Sequence, residues 1–289
     1  MKKTLILFST IIMSLGLWAQ NNAQAYAIFD AKGNKTDFGV MVNDLAKNQV
    51  VLIGELHNNP IAHWMELRIT EALYSKNNKI VQGAEMFEAD VQLILDEFLN
   101  DDIREKDVKS EARVWPNYPT DYKPLLMFAK EHNLKFVATN IPRRYANLVY
   151  RKGFEGLDKL SPEAKKYIAP LPVKYDPNLA CYKNMISGAT HMGMPANPNI
   201  AKAQAIKDAT MAHFIYKNLP KGGIFVHYEG AYHSDNYQGI YWYLKQTDKK
   251  LKIGTVTTVE QDDLSKLDKE NIGRADFIIV VPTDMTKTY

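Results

Sequence analysis

Val50-Val51-Leu52-Ile53-Gly54-Glu55-Leu56-His57 reads as a short β-strand followed at once by a glycine, an acid and a histidine. Four consecutive apolar residues, three of them β-branched, are the signature of a strand buried on both faces, as in a parallel sheet. The same grammar returns at 224–233, where Ile224-Phe225-Val226-His227-Tyr228 leads into Glu229-Gly230-Ala231-Tyr232-His233. Between the two lies Gly83-Ala84-Glu85-Met86-Phe87, again after a short apolar run. Glycine at such an exit permits positive φ and lets backbone or ligand approach closely.

Working outward, six such runs are predicted as strands: 50–53, 79–84, 135–139, 224–228, 251–257 and 277–281. Helical stretches separate them. Asn59-Pro60 opens one that runs to about residue 76, with Asn as N-cap, Pro at the first helical position and Ile61, Met65, Ile69 and Leu73 recurring every four residues. Others are predicted over 89–99, 122–131, 142–152 and 200–219, with one more after Gly239. This alternation predicts an α/β fold with a mainly parallel central sheet flanked by helices. Residues 154–199 interrupt it with a short helix after Ser161 and a tract rich in Pro, Asn, Gly and Met, read as a helical and irregular cap insertion over the strand ends.

Lys2 and Lys3 precede an apolar stretch over 4–19, shorter than the roughly 20 residues of a spanning helix. Ala23-Gln24-Ala25 supplies the small residues of a cleavage site. Residues 1–25 read as a secretory signal peptide cut near Tyr26 or after Gln20, the competing reading being a retained anchor. Residues 26–289 then form one α/β domain. Cys181 is the single cysteine, so an intrachain disulfide and a Cys-x-x-Cys site are excluded, and no lipid-bearing cysteine follows the apolar run. Loss of Lys2 and Lys3 lowers the net charge from +3 to +1, which implies neither a nucleic-acid nor an anionic-membrane partner. The expected location is periplasmic or secreted.

In open parallel sheets ligands bind beyond the carboxyl ends of the strands. Glu55, His57, Glu85, Asn140, Glu229 and His233 all fall at those ends. Two histidines with one carboxylate, His57, His233 and Glu85, match a zinc-type site with an open position, where bound water becomes a nucleophile. Glu55 would orient His57 or serve as the catalytic base. The alternative at the same place is a site for an organic ligand without metal. His227 reads as a hydrogen-bonded core histidine, His63 and His132 as structural or solvent-facing residues on helices, and His213 as packing. His191, beside Met192 and Met194, is either part of a mobile loop or an axial ligand to a planar cofactor. Arg143 and Arg144 open a helix, where cations oppose the dipole; carboxylate or phosphate recognition is one reason, and solvent exposure or a salt bridge the other. The aromatic turn Trp115–Tyr122 either lines a pocket or anchors a loop.

Gly-Glu-Leu-His followed by Asn-x-Pro, Gly-x-Glu-Met-Phe, Asn140-Ile141-Pro142-Arg143 and Gly-x-x-His, in this order from about residue 50 to 282, resemble the ChaN-like haem-binding uptake proteins of the Tiki superfamily. The superfamily also holds metal-dependent proteases and erythromycin-esterase-like hydrolases. The resemblance implies an α/β domain with a helical insertion and a role in bacterial haem or iron acquisition, with haem held between the sheet edge and the cap. Tyr122, Tyr232 and His191 are the candidate haem ligands, with Arg143 or Arg144 on a propionate and two copies sharing the cofactor in a homodimer. The alternative is a peptidase or esterase that uses zinc or another divalent metal on His57, Glu85 and His233.

Overall fold

The structure, a computed structural model, describes residues 24–191 and 197–289, without the side chains of 189–191. The expected signal segment thus falls, up to residue 23, outside the described residues. Eight strands form one sheet: β1 (Ala27–Asp30), β2 (Lys35–Thr36), β3 (Val50–Glu55), β4 (Ile80–Glu88), β5 (Lys135–Asn140), β6 (Ile224–Gly230), β7 (Ile253–Gln261) and β8 (Phe277–Pro282). Their order is β2-β1-β8-β7-β3-β6-β4-β5. The six strands expected from the sequence pair in parallel, β3 with both β6 and β7. The two short N-terminal strands, which the sequence reading did not include, add an antiparallel edge onto β8.

The helices are α1 (Phe38–Leu45), α2 (Pro60–Lys76), α3 (Gln92–Leu99), α4 (Glu105–Glu111), α5 (Lys123–Glu131), α6 (Arg143–Lys152), α7 (Pro162–Lys165), α8 (Ala180–His191), α9 (Asn199–Lys217) and α10 (Ile240–Thr247). None of them is long and apolar enough to cross a membrane. Asn59 caps α2 as expected, its side chain accepting from the Ile61 and Ala62 amides. The β3 side chains alternate between two cores. Val51 and Ile53 pack with Met65, Ile69 and Leu73 of α2, whereas Val50 and Leu52 pack with Met211 and Ile215 of α9 and Leu244 of α10. A strand with both faces covered carries no polar alternation, which is why the apolar run was readable.

Two details position the site. β6 returns between β3 and β4, so the chain reverses its winding there and the carboxyl ends of β3, β6 and β4 become neighbours, the place where open α/β sheets bind ligands. The β4–β5 register also shifts between Ala84 and Glu88, so that the bulge carrying Glu85 leaves the ladder at the sheet rim.

The 154–199 segment is more helical than its composition suggests. It contains α7 and the twelve-residue α8, whose last residue is His191. Tyr182 of α8 is buried with Ala201 and Ala205 of α9, and the Tyr232 hydroxyl at the rim donates to the Cys181 carbonyl of α8. Met185 is, among the described residues, its one side chain on the wall of the rim crevice.

Candidate functional site

Glu55, His57, Glu85 and His233 line one crevice of about 500 Å³, joined on its wall by Tyr232, Gln204, Lys207 and Met185. A second cavity of about 650 Å³ shares His57, Glu85 and Lys207 with it and continues past Met86, Trp115, Asn140 and Arg143. Distant segments of the chain meet here.

The exit glycines act by close approach, and not through positive φ as the sequence reading also allowed. Gly230 has φ −57°, and a Cβ there would lie 2.7 Å from His57 Nε2. A Cβ on Gly54 would lie 2.8 Å from the Ala231 Cα. Glycine at both positions lets β3 and the turn after β6 close on each other with the imidazole laid over the backbone.

Three groups organise the crevice. His57 Nδ1 meets Glu55 Oε1 at 2.5 Å, and the ring stands edge-on to Trp115 with centroids 5.0 Å apart. Its Nε2 has no hydrogen-bond partner among the described residues, and the side chain is 36% exposed. Glu85, buried, accepts from the Gly230 amide at 2.9 Å through Oε2 and faces His233 Nε2 at 3.1 Å through Oε1. On its other edge His233 Nδ1 bonds Asp208 Oδ1, and Asp208 accepts from the Tyr182 hydroxyl at 2.7 Å. Both histidines are therefore oriented by carboxylates.

Burial alone would raise the carboxyls and lower the imidazoles; the pairs reverse that. Despite its burial Glu55 is held down to about 2 by its bond to His57 and by the neighbouring His63 imidazole. Glu85 is depressed further, by His233 and His57. Against its own burial His233 is pushed up to about 10 by the Glu85 and Asp208 charges, and His57 is raised by Glu55 and Glu85. A histidine with a raised folded value contributes stability that is complete below its ordinary value near 6.5 and is lost as pH climbs through the folded one. The melting temperature is accordingly expected to fall between pH 6.5 and about 10, and a His233→Gln variant, measured by the same melts, is expected to show a shallower fall. Parallel curves for the two proteins would contradict the assignment.

Other expected residues fall elsewhere. Glu229 does not join the crevice: it is fully buried and paired with His227 at 2.7 Å, while His227 also meets Thr139 at 2.8 Å, the hydrogen-bonded core histidine expected. Tyr122 is 1% exposed with its hydroxyl donating to Glu55 at 2.8 Å, so a large ligand cannot reach it. Tyr232 sits on the lip, 40% exposed. Arg143 lines the second cavity, whereas Arg144 is tied to Asp90 at 2.6 Å. The His191 side chain lies outside the described residues.

Asp208, Lys207 and Glu66 were not singled out from the sequence. His63, read as structural or solvent-facing, is buried beside Glu55. The missed signal was available: His63 and Glu66 share the apolar stripe of α2 with Ile69 and Leu73, and ionisable residues on a core-facing stripe are rarely there for packing. Among the described residues, the group of His and acidic side chains whose donor atoms all lie within 4.8 Å of one another is Glu55, His63 and Glu66, not His57, Glu85 and His233.

An α/β sheet covered by helices on both faces carries, at its switch point, a polar crevice held by carboxylate–histidine pairs. The chain belongs to the haem-binding uptake family of the Tiki superfamily, ChaN, which matches residues 41–244. The fold is similar to that in the structure of cofacial haem binding to ChaN of Campylobacter jejuni, with TM-score 0.65, 17% identity, and coverage of 90% of this chain and 98% of that one. It is also similar to a succinoglycan biosynthesis protein, with TM-score 0.50, 10% identity, and coverage of 86% and 91%. In sequence it is 24% identical over 194 residues to the chloroplastic protein RETICULATA-RELATED 5 of Arabidopsis thaliana; the match takes in 62% of this chain and about a quarter of that protein, 26% of its length.

Proposed function

We propose that this chain binds haem for uptake in the joined crevice and cavity at the sheet rim. The observation that carries the reading is the state of His57: one ring nitrogen fixed by Glu55, the other unpartnered on the wall shared by both spaces. The donor set fits the group. A neutral imidazole with its far nitrogen anchored is a good iron ligand. Trp115, Met86 and Met185 offer apolar contact to a porphyrin face, and Arg143 and Lys207 offer cations to its carboxylates. Tyr232 on the lip is a second donor. This moves His57 from the divalent-metal role read in the sequence to the iron-facing role, in place of Tyr122.

A leader at 1–25 would carry the chain to the periplasm or outside the cell. The ligand would be shared between two copies of the chain, and haemin-dependent dimerisation in sedimentation measurements tests that.

The hydrolase reading rests on a separate observation, the two carboxylate-oriented histidines that face each other across Glu85. There, a divalent metal on His57, Glu85 and His233 would supply a water of lowered pKa, and Glu55 would take its proton. A haemin titration separates the two. Haem binding is expected to shift the Soret band saturably, with a chelator present or absent. Free-haemin spectra throughout, together with chelator-sensitive ester or peptide hydrolysis, would replace the first reading by the second.

A further inference from the structure

One layer beneath the crevice lies a second cluster. Glu55 closes β3, and His63 and Glu66 stand on the first turns of α2, at i and i+3 and therefore on one face. His63 Nδ1 is 2.9 Å from Glu55 Oε2 and 3.4 Å from Glu66 Oε2. Donor atoms around a tetrahedral transition-metal ion, at about 2.0–2.2 Å from it, stand about 3.4 Å apart. These spacings are of that kind, and the three residues already have their donors within 4.8 Å of one another.

The far edge of the imidazole is built to hold this orientation. His63 Nε2 lies 3.1 Å from the His57 carbonyl and 3.3 Å from Asp121 Oδ2. Asn117 donates to both of those acceptors, at 3.1 and 2.7 Å. A histidine whose Nε2–H is bound by a carboxylate and a carbonyl presents the Nδ1 lone pair to the opposite side, the arrangement found behind metal-ligating histidines.

The carboxylates point to a missing partner. Both Glu side chains are 0% exposed. Glu66 Oε1 has no hydrogen-bond partner, and Glu55 Oε2 lies within ion-pair reach of His63 but makes no hydrogen bond. A buried carboxylate oxygen left without a partner is costly.

We propose that Glu55, His63 and Glu66 form an inner site for one divalent transition-metal cation, distinct from the haem crevice above it. The nitrogen donor disfavours calcium and magnesium, which take oxygen ligands, and the N,O set suits zinc or manganese. Glu55 would then serve two sites at once, Oε2 on the cation and Oε1 on His57, so the inner ion would stiffen the anchor of the outer imidazole.

The test uses the full chain, stripped with a chelator, reloaded with Zn²⁺, and dialysed. About one zinc per chain is expected to remain, to persist in His233→Ala, and to be lost in Glu66→Gln. Zinc-edge anomalous diffraction from the loaded wild-type protein is expected to place the ion between Glu55, His63 and Glu66, a result that does not depend on any variant folding. Absence of retained zinc, a peak beside His57 and His233 instead, or retention unchanged in a folded Glu66→Gln protein would each overturn the proposal. Haem binding is read separately, at the Soret band, so its failure is distinguishable from each of the three.

Discussion

Replacing Glu85 with alanine is expected to destabilise the protein by about 3–5 kcal/mol, the cost of breaking a buried ion pair from one side. The carboxylate is 4% exposed and serves two partners at once, the His233 imidazole at 3.1 Å and the Gly230 amide at 2.9 Å. Its loss leaves the amide without an acceptor and strips His233 of one of the two carboxylates that hold it charged. In a domain of this size the change corresponds to a fall in melting temperature of about 10 °C. Glu85→Gln keeps an oxygen for the Gly230 amide and removes only the charge, so a smaller loss is expected. Calorimetry on the three proteins checks the order; equal melting temperatures for wild type and Glu85→Ala would show that the pair contributes nothing net.

The second large effect is on the ligand and not on the fold. A methyl group at position 230 would sit 2.7 Å from His57 Nε2 and 2.8 Å from its Cε1. The strand backbone is fixed between β3 and β4, so the half-exposed ring is the part that gives way. Moving it breaks the 2.5 Å bond from Nδ1 to Glu55. Mutation of such an anchoring contact costs about 10–100-fold in metal-centre affinity. Gly230→Ala is therefore expected to weaken haemin binding by at least about tenfold while the protein stays folded by circular dichroism. Undiminished affinity would mean that the ring is not the part of the wall the ligand uses.

Much of this was legible in the chain. The strands were visible because a sheet covered on both faces needs unbroken apolar runs, and the switch point brought Glu55, His57, Glu85 and His233 together as strand-exit residues must be. The exceptions are physical. Glu229 also ends a strand, yet alternation along β6 turns it from the rim onto His227. Asp208 lies mid-helix in α9, and nothing local in the sequence ties it to His233; only the packing of α9 against the sheet does. β1 and β2 are too short to show a period, and their place is set by pairing with β8. The insertion looked irregular because its Pro and Gly residues punctuate it, while α8 between them is held by a long-range contact, Tyr182 on Asp208.

Side-by-side haemin titrations of the wild-type chain and of His57→Ala, followed at the Soret band, test most directly whether the rim crevice around His57 is the haem site. The expected result is a saturable shift for the wild type and an affinity lower by at least about tenfold for the variant, whose side chain is 36% exposed and whose folding is checked by circular dichroism. Superimposable curves, or no shift in either protein, would contradict it.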